Sequence, residues 1–268
     1  MEKKIDITNI YDFLKSVYYN KSASREEFRN FLNDCLKMVF DANNLDLNDY
    51  QIILHDAKPI NPQKQLTRLN VYNSNIKENE IPPYEICFMW QDDKDPHKFG
   101  VCFNRNDTVF KYSNDFDFND LTLFIYFALH EFAHIIQYIK HPDIFDFYNN
   151  NRECAHLYVP AYAETLDTKS KNLVLKAFKK HVDSKAAACK IEKNANAQAY
   201  AYLSSLLQEI INQETDLEFK YFIHTQLLVL RKFRKTEFES YRIANKNNKE
   251  ALATLLEYGI CEEELIMN

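Results

Sequence analysis

The sequence predicts an α+β fold in which a small antiparallel sheet packs on one buried helix, with additional N- and C-terminal helices. Three observations point there. Residues 119–139 are apolar almost all round (Leu121, Phe124, Ile125, Leu129, Phe132, Ile135, Ile136), the pattern of a helix covered on most sides. Four short runs between residues 51 and 112 are rich in β-branched and aromatic residues and are separated by polar, proline-containing segments, the pattern of strands. Before and after these zones, apolar residues recur at helical spacing.

Composition narrows the function classes before any motif is considered. With 268 residues, 46% of them hydrophobic and 14% aromatic, the chain has the length and apolar content for a full core. It holds only 2 glycines, which excludes phosphate-cradling glycine-rich loops and dinucleotide fingerprints. A net charge of −6 offers no basic face for nucleic acid. Cys35, Cys87, Cys102, Cys154, Cys189 and Cys261 stand without C-x-x-C spacing and read as free thiols of a reducing compartment. The opening residues carry no apolar signal core, and no later segment is a charge-free span of membrane length. A soluble, cytoplasmic protein with no membrane partner is the expectation.

Taken in order, the first helix runs over Thr8–Tyr19. The second opens near Ser24, with Glu26 and Glu27 in its first turn and Phe28, Phe31, Leu32, Cys35, Leu36, Val39 and Phe40 at helical spacing. Strands follow at Gln51–His55, Glu85–Trp90, Lys98–Phe103 and Thr108–Tyr112. Prolines at 59, 62, 82, 83 and 96 fall in the connections, where a missing donor does least harm. Asp117, Asn119 and Asp120 cap the buried helix and Pro142 stops it. Another helix is expected near Leu173–Val182, one begins about Glu192, one covers Glu214–Asn245, and a last one runs from Lys249 to Tyr258, with Gly259 placed to end it. Residues 1–48 are thus an N-terminal helical segment, 49–212 the core with an insert at about 143–188, and 213–268 C-terminal helices packed on that core. Arg231, Lys232, Arg234 and Lys235 read as a solvated basic face, His55 and His97 as surface or satisfied structural histidines, and His224 as a packed histidine. Tyr158, Tyr162, Tyr200 and Tyr202 read as packing residues.

The chemistry lies inside the buried helix, in His130-Glu131-Phe132-Ala133-His134. Histidines four apart project from one helix face, so both imidazoles can reach one metal ion, and zinc suits that arrangement. Glu131 stands beside the pair, placed to act as general base on a water held at the metal's open position. The strand at Thr108–Tyr112, just upstream, is expected to lend its edge to a peptide.

A catalytic zinc needs a third protein ligand. The metzincin solution puts glycine three and histidine six residues after the second histidine, where this chain has Gln137 and Lys140, so it is rejected. His141 is wrongly phased and reads as a helix-end residue. Downstream glutamates remain. Glu192 opens a helix paved with Ala195 and Ala199, which permit close approach to the metal helix, and Asn196, one turn on, could hydrogen-bond a ligand. Glu164 has a similar but sparser small-residue setting, Glu153 lies in a polar run, and His156 or an aspartate remains open, since spacing alone does not locate a ligand.

His130-Glu131-x-x-His134 followed by Glu192-x-x-Ala195-Asn196-x-x-Ala199 resembles the ImmA/IrrE-type zinc peptidases and their phage-borne relatives, over about residues 85–210. The resemblance implies a zincin-like fold of gluzincin type and zinc (Zn2+) held by His130, His134 and Glu192. It also implies a regulatory protein as substrate, since such proteins are associated with cleaving or controlling repressors. The interval from His134 to Glu192 is longer than in that family, and its insert could form a lid or specificity wall. The expectation is therefore a zinc metallopeptidase, an endopeptidase acting on a protein or peptide with Glu131 as general base. The alternative is a non-catalytic zincin-like interaction module whose metal is structural or absent.

Overall fold

The computed structural model describes residues 6–59, 80–81, 87–92, 94–104, 118–142 and 186–244. Helices α1 (Thr8–Asn20) and α2 (Arg25–Ala42) come first. In α1, Ile10, Leu14 and Val17 form a buried stripe one residue wide. Helix α2 starts where the sequence places it, because Ser24 and Glu27 form a reciprocal capping box. The Glu27 amide donates to Ser24 Oγ at 3.2 Å, and the Ser24 amide to the Glu27 carboxylate at 2.7 Å. Every apolar position expected to pack in α2 is buried, and its ring Phe31 stacks on Phe13 of α1 with centroids 4.3 Å apart.

Among the described residues the sheet has four strands, β1 (Gln51–Pro59), β2 (Glu80–Ile81), β3 (Cys87–Gln91) and β4 (Lys98–Asn104), in the order β2-β1-β4-β3. It is mixed, not antiparallel as expected. Strand β1 runs parallel to β4 from Gln51 opposite Lys98 to Ala57 opposite Asn104, and parallel to β2 as well. Among the described strands only β3 and β4, joined by a short turn through Pro96, are antiparallel, with Cys87 opposite Phe103 and Gln91 opposite Phe99. A hairpin needs only a tight turn, whereas parallel pairing needs a connection of about a dozen residues or more, and β1 and β4 stand far enough apart in the chain to allow one. The expected strand at Thr108–Tyr112 lies outside the described residues. Strand β4 is central, and its residues from Phe99 to Phe103 are buried on both faces, as befits a strand covered above and below.

Helix α3 (Phe118–Lys140) crosses one face of this sheet, with Phe124 5.6 Å from Phe103 and Tyr138 5.4 Å from Phe99, centroid to centroid. Helix α4 (Ala186–Gln213) packs along α3, and α5 (Leu217–Ala244) turns back beside both. Ala195 and Ala199 are fully buried, so the alanine side of α4 does give close approach. The α4–α5 turn is built on Glu214, whose carboxylate accepts the amides of Thr215 and Asp216 at 2.7 Å each and, from α1, the Tyr11 hydroxyl at 2.6 Å and Lys15 Nζ at 2.9 Å. One apolar cluster joins residues of α1 to α5, β3 and β4 around α3. None of the described helices is long and apolar enough to cross a membrane. The helices expected at Leu173–Val182 and Lys249–Tyr258 lie outside the described residues, as does most of the insert at 143–188.

Candidate metal centre

His130, His134 and Gln137 stand at i, i+4 and i+7 on α3, so one face of this helix carries all three. The Nε2 atoms of the two histidines approach to 3.0 Å, with the rings at 88° to each other. Two nitrogens bound to one tetrahedral zinc at its usual bond length must lie about 3.3 Å apart. The observed spacing is close to that value, so the pair fits such an ion in spacing once the contact between the two nitrogens gives way to it.

Glu131 points to the sheet, where its Oε2 accepts the Met89 amide of β3 at 2.8 Å. The alternation in the hairpin explains why that amide is available. Asp92 N–H bonds the Lys98 carbonyl, so even-numbered residues of this strand address β4 and odd ones, Met89 among them, turn their main-chain groups to the opposite edge. The carboxylate beside the histidines therefore rests on the outer edge of β3, among the described strands. Among the described strands it is β3 that borders the centre; the expected strand at 108–112 lies outside the described residues.

Behind the imidazoles lies a shell of amides. Gln137 Oε1 is 2.8 Å from His134 Nδ1, and Gln137 Nε2 donates to Asn194 Oδ1 on α4 at 2.7 Å. Asn194 Oδ1 also accepts Gln198 Nε2 at 2.6 Å. His134 and Gln137 are buried, and His130 and Glu131 are half-buried.

Asn196, expected to support a ligand, does not face this shell. Two residues beyond Asn194 it points about 200° away around the helix, and its Nδ2 donates to Glu237 of α5 at 2.6 Å. Asn194 faces the shell instead, and its partners there are Gln137 and Gln198 rather than a ligand. Glu192 belongs to α4, two residues before Asn194, and its side chain lies outside what is described; Glu164, Glu153, His156, Tyr158 and Tyr162 lie outside the described residues altogether. Among the described residues no group of three or more histidine, cysteine, aspartate or glutamate side chains is gathered as a metal cluster, so the described part of the centre is the histidine pair with Glu131 beside it.

The remaining readings divide. His141 is an exposed helix-end residue, as expected. His55 lies 2.8 Å from Cys102 Sγ, its register partner across β1 and β4. His97 is exposed against the Tyr50 ring, whereas His224 is exposed and not packed. The expected basic face is broken by Arg234, which is buried and donates to Glu237 at 2.6 Å. Its phase, seven residues after Leu227 and four after Leu230, puts it on the buried stripe of α5. The same arithmetic marks Gln137, one turn beyond His134.

Comparison with protein-family models, with characterised proteins and with solved structures finds no match for this chain.

Proposed function

We propose that the chain is a zinc-dependent metallopeptidase of zincin-like fold that hydrolyses peptide bonds of a protein substrate, a regulatory protein, in the cytoplasm. His130, His134 and Glu192 would hold the metal, and Glu131 is the general base. One arrangement supports this reading: two imidazole nitrogens 3.0 Å apart on a helix face, with a carboxylate beside them that touches a strand edge. When bound, zinc would supply Lewis acidity, polarising a carbonyl and making a water acidic at neutral pH.

The chain's own residues do the rest. Glu131 takes the proton of the attacking water and returns it to the leaving nitrogen. The outer edge of β3 offers an extended peptide a row of main-chain partners, Met89 N–H among them. A peptide added there competes with Glu131 for that amide, and its binding frees the carboxylate to turn toward the bond being cut.

Metal content by mass spectrometry tests the centre, on wild type, Glu192→Ala and Glu164→Ala purified without an affinity metal column. Near-stoichiometric zinc, lost on changing Glu192 but kept on changing Glu164, is the expected result; wild type that stays zinc-free after refilling sinks the reading. Glu131→Gln should retain zinc and lose at least about a hundredfold in turnover, and undiminished cleavage by that variant would remove Glu131 from its role.

A further inference from the structure

We propose that Gln137 is a positioning residue that holds His134 in the tautomer with its proton on Nδ1 and its lone pair on Nε2, and that Gln137 is itself oriented by a hydrogen-bond relay anchored on α2. The consequence for metal binding rests on the reading above; the tautomer is a property of the metal-free chain.

The relay can be followed from an end whose polarity is fixed. Lys140 Nζ can only donate, and it meets Asn43 Oδ1 at 2.6 Å. The Val39 carbonyl can only accept, and it meets Asn43 Nδ2 at 2.8 Å. The Asn43 amide is therefore set, and its Nδ2 also donates to the Tyr202 hydroxyl at 2.7 Å. Having accepted there, that hydroxyl gives its one proton to Gln198 Oε1 at 3.4 Å. Gln198 in turn presents Nε2 to Asn194 Oδ1. This oxygen can only accept, so the Gln137 atom 2.7 Å from it is the amide nitrogen. Gln137 Oε1 is left facing His134 Nδ1 at 2.8 Å, and a carbonyl oxygen at that distance requires a proton on the ring nitrogen.

Five side chains thus carry a polarity from the end of α2 to one imidazole. His134 Nε2 bears the lone pair, and the proton in its 3.0 Å contact with His130 Nε2 belongs to His130. The two histidines are not equivalent. His134 is set to ligate through Nε2 as it stands, whereas His130 must give up its Nε2 proton first.

Long-range proton–nitrogen correlation spectra of the metal-free, nitrogen-15-labelled protein read the tautomers, with His130 and His134 assigned by single substitutions. Wild type is expected to show His134 protonated on Nδ1 and His130 on Nε2. Gln137→Met should shift His134 toward the Nε2 proton and weaken zinc about 10–100-fold, while Gln137→Glu, which keeps the acceptor, retains the wild-type tautomer and most of the affinity. An Nε2-protonated His134 in wild type, or a wild-type pattern in Gln137→Met, overturns the proposal. Asn194→Leu serves if Gln137→Met does not fold, and the wild-type spectrum decides by itself if neither does. A wild type with the expected tautomers that takes up no zinc upholds the positioning role and defeats the metal reading instead.

Discussion

Asn194 and Asn196, two residues apart on α4, enter two polar networks of opposite character. Asn194 joins an uncharged chain of amides, a hydroxyl and an imidazole running from α3 to α2, with Lys140 as its one charge at the exposed end. Asn196 joins a charged knot in which Glu237 accepts Asn196 Nδ2 and Arg234 Nη1 at 2.6 Å each and the Tyr126 hydroxyl at 3.3 Å. Burial alone would lower the pKa of Arg234, but Glu237 beside it keeps it above the ordinary value. Burial, and then the same carboxylate, push Tyr126 well above the ordinary phenol range, so its proton stays in place as a donor. Behind the histidines, direction is specified without placing a second formal charge where a cation would sit. Between α4 and α5, charge is admitted because guanidinium and carboxylate cancel.

If the charged knot is structural, removing one partner should cost most. Arg234→Met leaves the Glu237 carboxylate without its cation and is expected to destabilise by about 3 kcal/mol in denaturant unfolding. Adding Glu237→Gln should recover much of that loss, and neither change should move zinc affinity. A large affinity change would show that the two networks are coupled and break the contrast between them.

A third cluster sharpens it. At Glu214 burial raises the carboxyl pKa, but the Tyr11 hydroxyl, the Asp216 amide and Lys15 outweigh this and bring it from 4.5 to about 2. Because the folded value lies below the unfolded one, its stabilisation is complete above about pH 4.5 and is lost as pH falls toward 2. Glu214→Gln should lower stability by on the order of 2 kcal/mol at neutral pH and flatten the acid limb in that window. An unchanged acid limb would detach Glu214 from the docking of α1.

The smallest effect is expected inside the uncharged chain. Tyr202→Phe removes one hydroxyl and should cost about 1 kcal/mol, while weakening zinc several-fold less than Gln137→Met. An equal loss of zinc would mean that the whole relay is needed; none would mean that Gln137 is oriented from α4 alone.

How much of this was legible in the sequence depends on phase. Helix α3 and the capped start of α2 were read correctly because apolar spacing and the Ser24–Glu27 pair are local signals. Strand direction was not, since alternation is the same in parallel and antiparallel strands and the partner of β1 is β4, far along the chain. The basic run in α5 reads as a solvated face by charge alone, but charge carries no phase, and Arg234 falls on the buried side of the helix. Of the candidate centre, His130, Glu131 and His134 follow from their spacing. Gln137 stands where the metzincin pattern needs glycine, which says nothing of its bond to His134, and Asn194 differs from Asn196 only in phase, which residue identity does not reveal. The Met89 amide, belonging to the backbone, leaves no trace in residue identity.

The enclosure of α3 by the sheet, α2, α4 and α5 also sets a clock. No layer covers this helix alone, so its central backbone amides are released to solvent only when several elements part together, and their hydrogen exchange should track global unfolding rather than local breathing. The two imidazoles ride on that stretch. Their spacing is therefore as durable as the native state itself, and a ligand seated between them would have to depart from the imidazoles directly and not by the helix loosening beneath it.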